Sequence, residues 1–122
     1  MSVEVVKGAE NLEAIVKKGF SVVDFWATWC KPCKDIAPKF EALSVEHGGV
    51  GGGVRFLKCD IADFEEEDLI DMGLEKIPAF FVYKDGKKVE EFLGNECGEA
   101  LEKYLDELAN LEGSSESKGD EA

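Results

Sequence analysis

Trp29-Cys30-Lys31-Pro32-Cys33 is the stretch that decides how this chain is read. Two thiols stand one helical turn apart, and the apolar segment Phe20-Ser21-Val22-Val23-Asp24-Phe25-Trp26 leads into them. A Cys-x-x-Cys at a strand-to-helix junction suits dithiol–disulfide chemistry for a physical reason. A thiol at the first turn of a helix is stabilised as the thiolate by unpaired backbone N–H groups and the helix dipole. The second thiol lies within reach to close a disulfide. A structural zinc site would need two further ligands. The chain has no second Cys-x-x-Cys and His47 is its only histidine, so no metal is expected.

Around this motif the composition is that of one globular domain. The chain has 122 residues, 44% of them hydrophobic, with three prolines. That is long enough for a single buried core. Apolar runs are strand-sized, so no membrane span is expected. Met1–Lys7 lacks a basic segment followed by an apolar one, so no secretory signal is visible and a cytoplasmic location is expected. A net charge of −13 sets the chain against nucleic acid and anionic membranes, which would repel it. Four cysteines with only one close pair do not make a disulfide framework, which fits a reducing compartment.

Upstream of the motif, Ser2–Lys7 alternates weakly and predicts a first strand ending at Gly8. Leu12, Ile15 and Val16 predict a helix over Glu10–Lys18. Phe20–Trp26, apolar nearly throughout, reads as a central strand covered on both faces. Pro32 suits the start of the next helix, where its missing N–H costs nothing, while Pro38 should kink that helix before its end near His47. The glycine run 48–53 is a loop, Val54–Asp60 a third strand, and Phe64–Met72 a short helix with an acidic first turn. Ala79–Tyr83 is a fourth strand, turned by Asp85-Gly86 into Lys87–Leu93. Leu101, Tyr104, Leu105 and Leu108 mark a last helix over Glu96–Leu111. A folded domain of residues 1–111 and a disordered acidic tail of residues 112–122 are expected.

This order, with Trp-Cys-x-Pro-Cys after the second strand, resembles thioredoxin over Val3 to Leu111. Phe25-Trp26-Ala27-Thr28-Trp29-Cys30-Lys31-Pro32-Cys33-Lys34 is similar to that family's active-site segment, with Lys31 where the family usually has glycine. Asp24 matches its buried carboxylate, Ile77-Pro78 its cis-proline, and Gly94 the glycine bordering its substrate groove; Ala79 stands where threonine is frequent. The resemblance implies an α/β fold with a five-stranded mixed sheet in the order 1-3-2-4-5, flanked by four helices. It implies reduction of protein disulfides with no bound cofactor. Electrons would come from NADPH through a thioredoxin reductase, and peroxiredoxin-like or reductase-type enzymes would be among the substrates of a monomer.

On this reading Cys30 attacks as the thiolate and Cys33 resolves the mixed disulfide. Asp24, a carboxylate in an apolar strand, has its pKa raised by desolvation and is the candidate proton acceptor for Cys33. Trp29, Ile77, Pro78 and Gly94 would line the substrate groove, with the Ile77 backbone pairing with an extended substrate. Trp26 is expected beneath the site as a packing residue. Lys31 places a cation between the thiols, favouring the Cys30 thiolate and a less reducing potential than glycine there would give, unless water screens it. Cys59 and Cys97 fall on elements too far apart to bridge; Cys59 is expected buried and Cys97 exposed in a polar loop. A thioredoxin-fold oxidant or isomerase, and a redox-regulated binding module, stay open beside the disulfide reductase. The C-terminal Lys118-Gly119-Asp120-Glu121-Ala122 is not a retention signal, and a pure adaptor would not need both cysteines.

Overall fold

The computed structural model describes residues 3–48 and 53–118, the last of these through 111–118 by backbone alone. Strand β1 (Val3–Val5) leads to helix α1 (Ala9–Ile15), strand β2 (Phe20–Trp26) and helix α2 (Lys31–His47). Strand β3 (Val54–Asp60) follows, then a 3-10 turn (Ile61–Asp63) and helix α3 (Glu66–Asp71). The hairpin β4 (Ala79–Lys84) and β5 (Lys87–Leu93) precedes helix α4 (Cys97–Lys118). The strands form one five-stranded sheet ordered β1-β3-β2-β4-β5. β1, β3 and β2 run parallel, while β4 is antiparallel to both β2 and β5. This is the mixed sheet the resemblance implies.

β2 lies at the centre, and its alternation splits the core in two. Val22 joins Phe40, Phe56, Phe80, Leu101 and Leu105 on the face covered by α2 and α4. Val23 and Phe25 join Leu12, Leu57, Phe64 and Phe81 on the face covered by α1 and α3. Because side chains alternate along a strand, Asp24 points to the α2 side. The Phe40 ring stacks on Phe80 with centroids 5.1 Å apart and meets Phe56 edge-on at 5.3 Å. Aromatic pairs of these geometries add to the burial of the rings themselves. Edge strand β5 is largely exposed and carries Lys87, Lys88, Glu90 and Glu91, charges that discourage pairing with another chain.

Element ends differ from the sequence expectations where tertiary partners intervene. Helix α1 stops at Ile15 rather than Lys18, and the Val16 carbonyl, left unpaired by the helix end, accepts the Gly86 N–H at 2.9 Å. The β4–β5 turn supplies that N–H. Its residues Asp85 and Gly86 both have positive φ, 51° and 89°, as a two-residue hairpin with the twist of its strands requires. Pro38 sits inside α2 without ending it. Helix α4 continues past Leu111 to Lys118, so the tail expected to be disordered from Glu112 begins as helix. Gly113 weakens such a segment by only about 1 kcal/mol relative to alanine, and extending an existing helix needs no new nucleus. The loop expected over the glycine run lies, at residues 49–52, outside the described residues.

Cys59 and Cys97 are free thiols, as the distance argument requires, and both are buried. The exposure expected for Cys97 is corrected. It opens α4 rather than a polar loop, and its side chain turns into the core beside Phe80 and Leu101. Burial pushes both thiols up to about 12, which removes them from thiolate chemistry near neutral pH.

Phe40→Ala, which deletes the ring shared by α2 and the central sheet, should lower stability by about 3–5 kcal/mol in urea unfolding. A loss below about 1 kcal/mol would mean that these ring contacts do not hold α2 to the sheet.

Candidate active site

The site forms where β2 leaves the sheet. Ala27 is buried, its carbonyl accepts the Cys30 N–H at 3.1 Å, and this turn sets Cys30 at the N-cap of α2 with extended backbone. In that position the Cys30 Sγ accepts the backbone N–H of Cys33 at 3.2 Å. An N-cap is ordinarily a serine, threonine, asparagine or aspartate oxygen. Here a sulfur takes its place, so the first unpaired N–H groups of the helix face the redox atom. Pro32, in the first turn, lacks an N–H that the helix would have left unpaired. Cys30 and Cys33 are joined as a disulfide with Cα atoms 5.3 Å apart. Ala27, with Trp26, Ile61 and Ile77 packed against it, surrounds the two sulfurs.

Beneath Cys33 lies a cavity of about 110 Å³ lined by Asp24, Trp26, Cys33, Lys34, Ala37 and Lys58. Asp24 is 2% exposed and its Oδ1 has no hydrogen-bond partner. Burial pushes its carboxyl up to about 7, and the nearby Lys58 ammonium works in the opposite direction. Lys58 is the residue that sequence reasoning missed. It stands opposite Asp24 in the β2–β3 register, and its Nζ lies 4.8 Å from the centre of the Trp26 ring. Only the strand pairing brings it there, and no motif in the chain signals that register. Trp26 lies under the sulfurs as expected.

On the outer side, Trp29 is 74% exposed and borders an open groove of about 380 Å³ with Ile61, Leu69, Ile70, Leu74 and Ile77. The apolar residues of α3 and the turn before β4 had no motif to announce them. The Ile77–Pro78 bond is cis, and Pro78 is buried next to the start of β4. The Pro78 carbonyl accepts the Gly94 N–H at 2.9 Å, so these two expected groove residues are held together across the β4–β5 pair. Gly94 adopts φ 85°, a left-handed conformation that favours glycine. Lys31 is exposed and its ammonium is bonded to Asp35, 3.1 and 3.2 Å from the two carboxylate oxygens. The cation between the thiols therefore carries its own counter-charge, which weakens its field at Cys30.

The sulfur pair places the chain, by class, among the protein dithiol–disulfide oxidoreductases. The family model for thioredoxin matches residues 2–107. Thioredoxin-1 of Schizosaccharomyces pombe is 40% identical over 91 residues, 75% of this chain and 84% of that protein. A thioredoxin of Staphylococcus haemolyticus is 38% identical over 96 residues, 79% of this chain and 88% of its own length. The solved structure of Fasciola hepatica thioredoxin superposes with a TM-score of 0.73 at 36% identity, covering 85% of this chain and 97% of that one. This chain belongs to the thioredoxin family.

The buried carboxyl makes stability depend on pH with a definite sign. The folded state holds a proton on Asp24 up to about pH 7, whereas an unfolded aspartate releases it near 3.8. The folded state therefore binds more protons between those values, and stability falls as pH rises through that window, by about 4 kcal/mol in total. Asp24→Asn should be more stable than the parent by about 2–4 kcal/mol at pH 8, with the gain shrinking to nothing below pH 4. Urea unfolding at the two pH values measures it, and a gain that is equal at both would refute the raised carboxyl.

Proposed function

We propose that this protein reduces disulfides in other proteins, using the Cys30–Cys33 pair as a reversible two-electron store. The observation that carries the reading is the sulfur pair at the start of α2, separated by Ile61 and Ile77 from the groove that Trp29 borders and backed on the other side by the Asp24 cavity. In the reduced protein the Cys30 thiolate attacks a substrate sulfur. That forms a mixed disulfide and releases one substrate thiolate, which takes a proton from water. Cys33 then gives its proton to Asp24 and attacks the Cys30 sulfur. The Cys30–Cys33 disulfide closes, the second substrate thiolate leaves, and two electrons have passed to the substrate. Asp24 is suited to the transfer because its carboxyl is poised at about 7 and shares a cavity with Cys33.

Trp29, Ile77, Pro78 and Gly94 form the substrate wall. An extended segment would lie against the apolar surface of Trp29 and pair with the backbone of Ile77. Lys31 adds a modest cationic field, moderated by Asp35, and Pro32 keeps the helix start free of a competing N–H. The domain of residues 1–111 carries this activity, with residues 112–122 as a solubilising acidic appendage. Recharging falls to a thioredoxin reductase drawing on NADPH, since the chain's own sulfurs hold only one electron pair. The reading sets the protein in cytoplasmic electron transport and cell redox homeostasis, with peroxiredoxin-like or reductase-type enzymes among its clients. Among the described residues no helix is long and apolar enough to cross a membrane.

Insulin reduction in the presence of dithiothreitol tests the reading. The parent should accelerate precipitation of the insulin B chain, and Cys30→Ser should abolish the effect. Cys33→Ser should instead accumulate a covalent, reductant-sensitive adduct with the substrate, visible on a non-reducing gel. An active Cys30→Ser variant, or no adduct from Cys33→Ser, would contradict the assigned roles.

A further inference from the structure

The chain's one histidine lies at the other end of α2 from the sulfurs. His47 closes that helix, about 25 Å along its axis from Cys30. Its side chain is nine-tenths buried against α4. The ring Nε2 is buried without a hydrogen bond, yet it faces Asp106 Oδ1 at 3.2 Å and Glu46 Oε2 at 3.9 Å. One ligand atom from each of the three residues lies within 4.8 Å of the other two. Two carboxylates brought this close repel each other, less strongly for being half exposed to water, and a positive charge between them relieves the repulsion. A buried ring nitrogen that contacts a carboxylate without making a hydrogen bond is itself costly. A single cation between the three groups removes both costs.

We infer that Glu46, His47 and Asp106 form a binding site for a divalent transition metal of the zinc type, clasping the end of α2 to α4. The donor set is one imidazole nitrogen and two carboxylate oxygens, which suits zinc or cobalt better than magnesium or calcium, whose sites are built from oxygen alone. Around a tetrahedral zinc with bonds of 2.0–2.2 Å, ligand atoms stand about 3.4 Å apart. The 3.2 and 3.9 Å separations from the imidazole bracket that spacing, and the two carboxylate oxygens, within 4.8 Å of each other, close the remaining edge by rotation of the exposed Glu46 and Asp106 side chains. Both carboxylates are at least half exposed, which leaves water free to complete the coordination. Two carboxylates and a neutral imidazole balance the ion's charge, in a chain whose net charge of −13 already draws cations. The Lys39–Glu102 ion pair, at 2.6 Å, joins the same two helices further along and keeps them in register. The sequence predicts no metal because neither Glu46-His47 nor Asp106 belongs to a ligand motif. Only the packing of α4 on α2 joins them.

The test uses the full chain in its disulfide form, so that Cys30 and Cys33 cannot bind metal, after treatment with a chelator and its removal. Zinc sulfate titrated into this protein by calorimetry should bind at one site per chain and raise the melting temperature. His47→Gln and Asp106→Asn should each weaken the binding by at least about tenfold. Cobalt added in place of zinc should give visible absorption bands that both substitutions remove. Insulin reduction by the two variants serves as the check that they fold. If the parent shows no saturable zinc binding, or if both variants bind as the parent does, the inference is wrong and His47 with Asp106 is a plain ion pair. Should one variant fail to fold, loss of zinc binding in the other decides in favour and retention decides against.

Discussion

The hydrogen bond from the Cys33 N–H to the Cys30 sulfur ties the chemistry to the fold. It requires a central strand that ends at Trp26, a turn closed between Ala27 and Cys30, and a helix that starts at Lys31. Each of these depends on burial elsewhere. β2 is held on both sides by strands and on both faces by helices, so its C-terminal end is fixed in space. Helix α2 is anchored by Phe40 and Leu43 in the core, so its first turn is fixed too. A sulfur at the N-cap then meets the unpaired N–H groups of a helix that cannot shift away.

The same rigidity explains why a destabilising group is tolerated. Asp24 lies in the most buried strand of the molecule with an oxygen that no donor satisfies. A folded chain chosen for stability alone would carry an apolar residue there. The carboxyl instead shares its cavity with Cys33, and its burial brings it to about 7, where a proton acceptor is most useful near neutral pH. Lys58 limits how far burial can raise it. The large, well-packed aromatic cluster of Phe40, Phe56 and Phe80 supplies stability that offsets this cost.

Much of this was legible in the chain itself. Phe20–Trp26 declares itself as a strand because a nearly continuous apolar run opened by a glycine admits few other structures, and Val54–Asp60 because Val54, Phe56, Leu57 and Cys59 form a strand-length apolar set directly after the glycine run. Asp85-Gly86 declares the hairpin by its turn chemistry. Cys30, Cys33 and Asp24 stand out because a dithiol at a helix start and a carboxylate in an apolar strand are expensive anywhere without a use. Lys58, the apolar residues of the groove, and the grouping of Glu46, His47 and Asp106 were not legible, because strand register and helix contacts bring them together. Cys97 misled for the same reason: its neighbours in sequence are polar, while its neighbours in space are Phe80 and Leu101. The end of α4 was misplaced because the apolar stripe stops at Leu111 while the backbone helix does not.

The central claim is that the helix start makes Cys30 the reactive thiolate and keeps Cys33 in reserve beneath it. Limited alkylation of the freshly reduced protein with iodoacetamide at pH 7, mapped by peptide mass spectrometry, tests this most directly. The account predicts that Cys30 is modified first, with Cys33, Cys59 and Cys97 left unmodified. Modification of Cys33 before Cys30, or of both at equal rates, would contradict it.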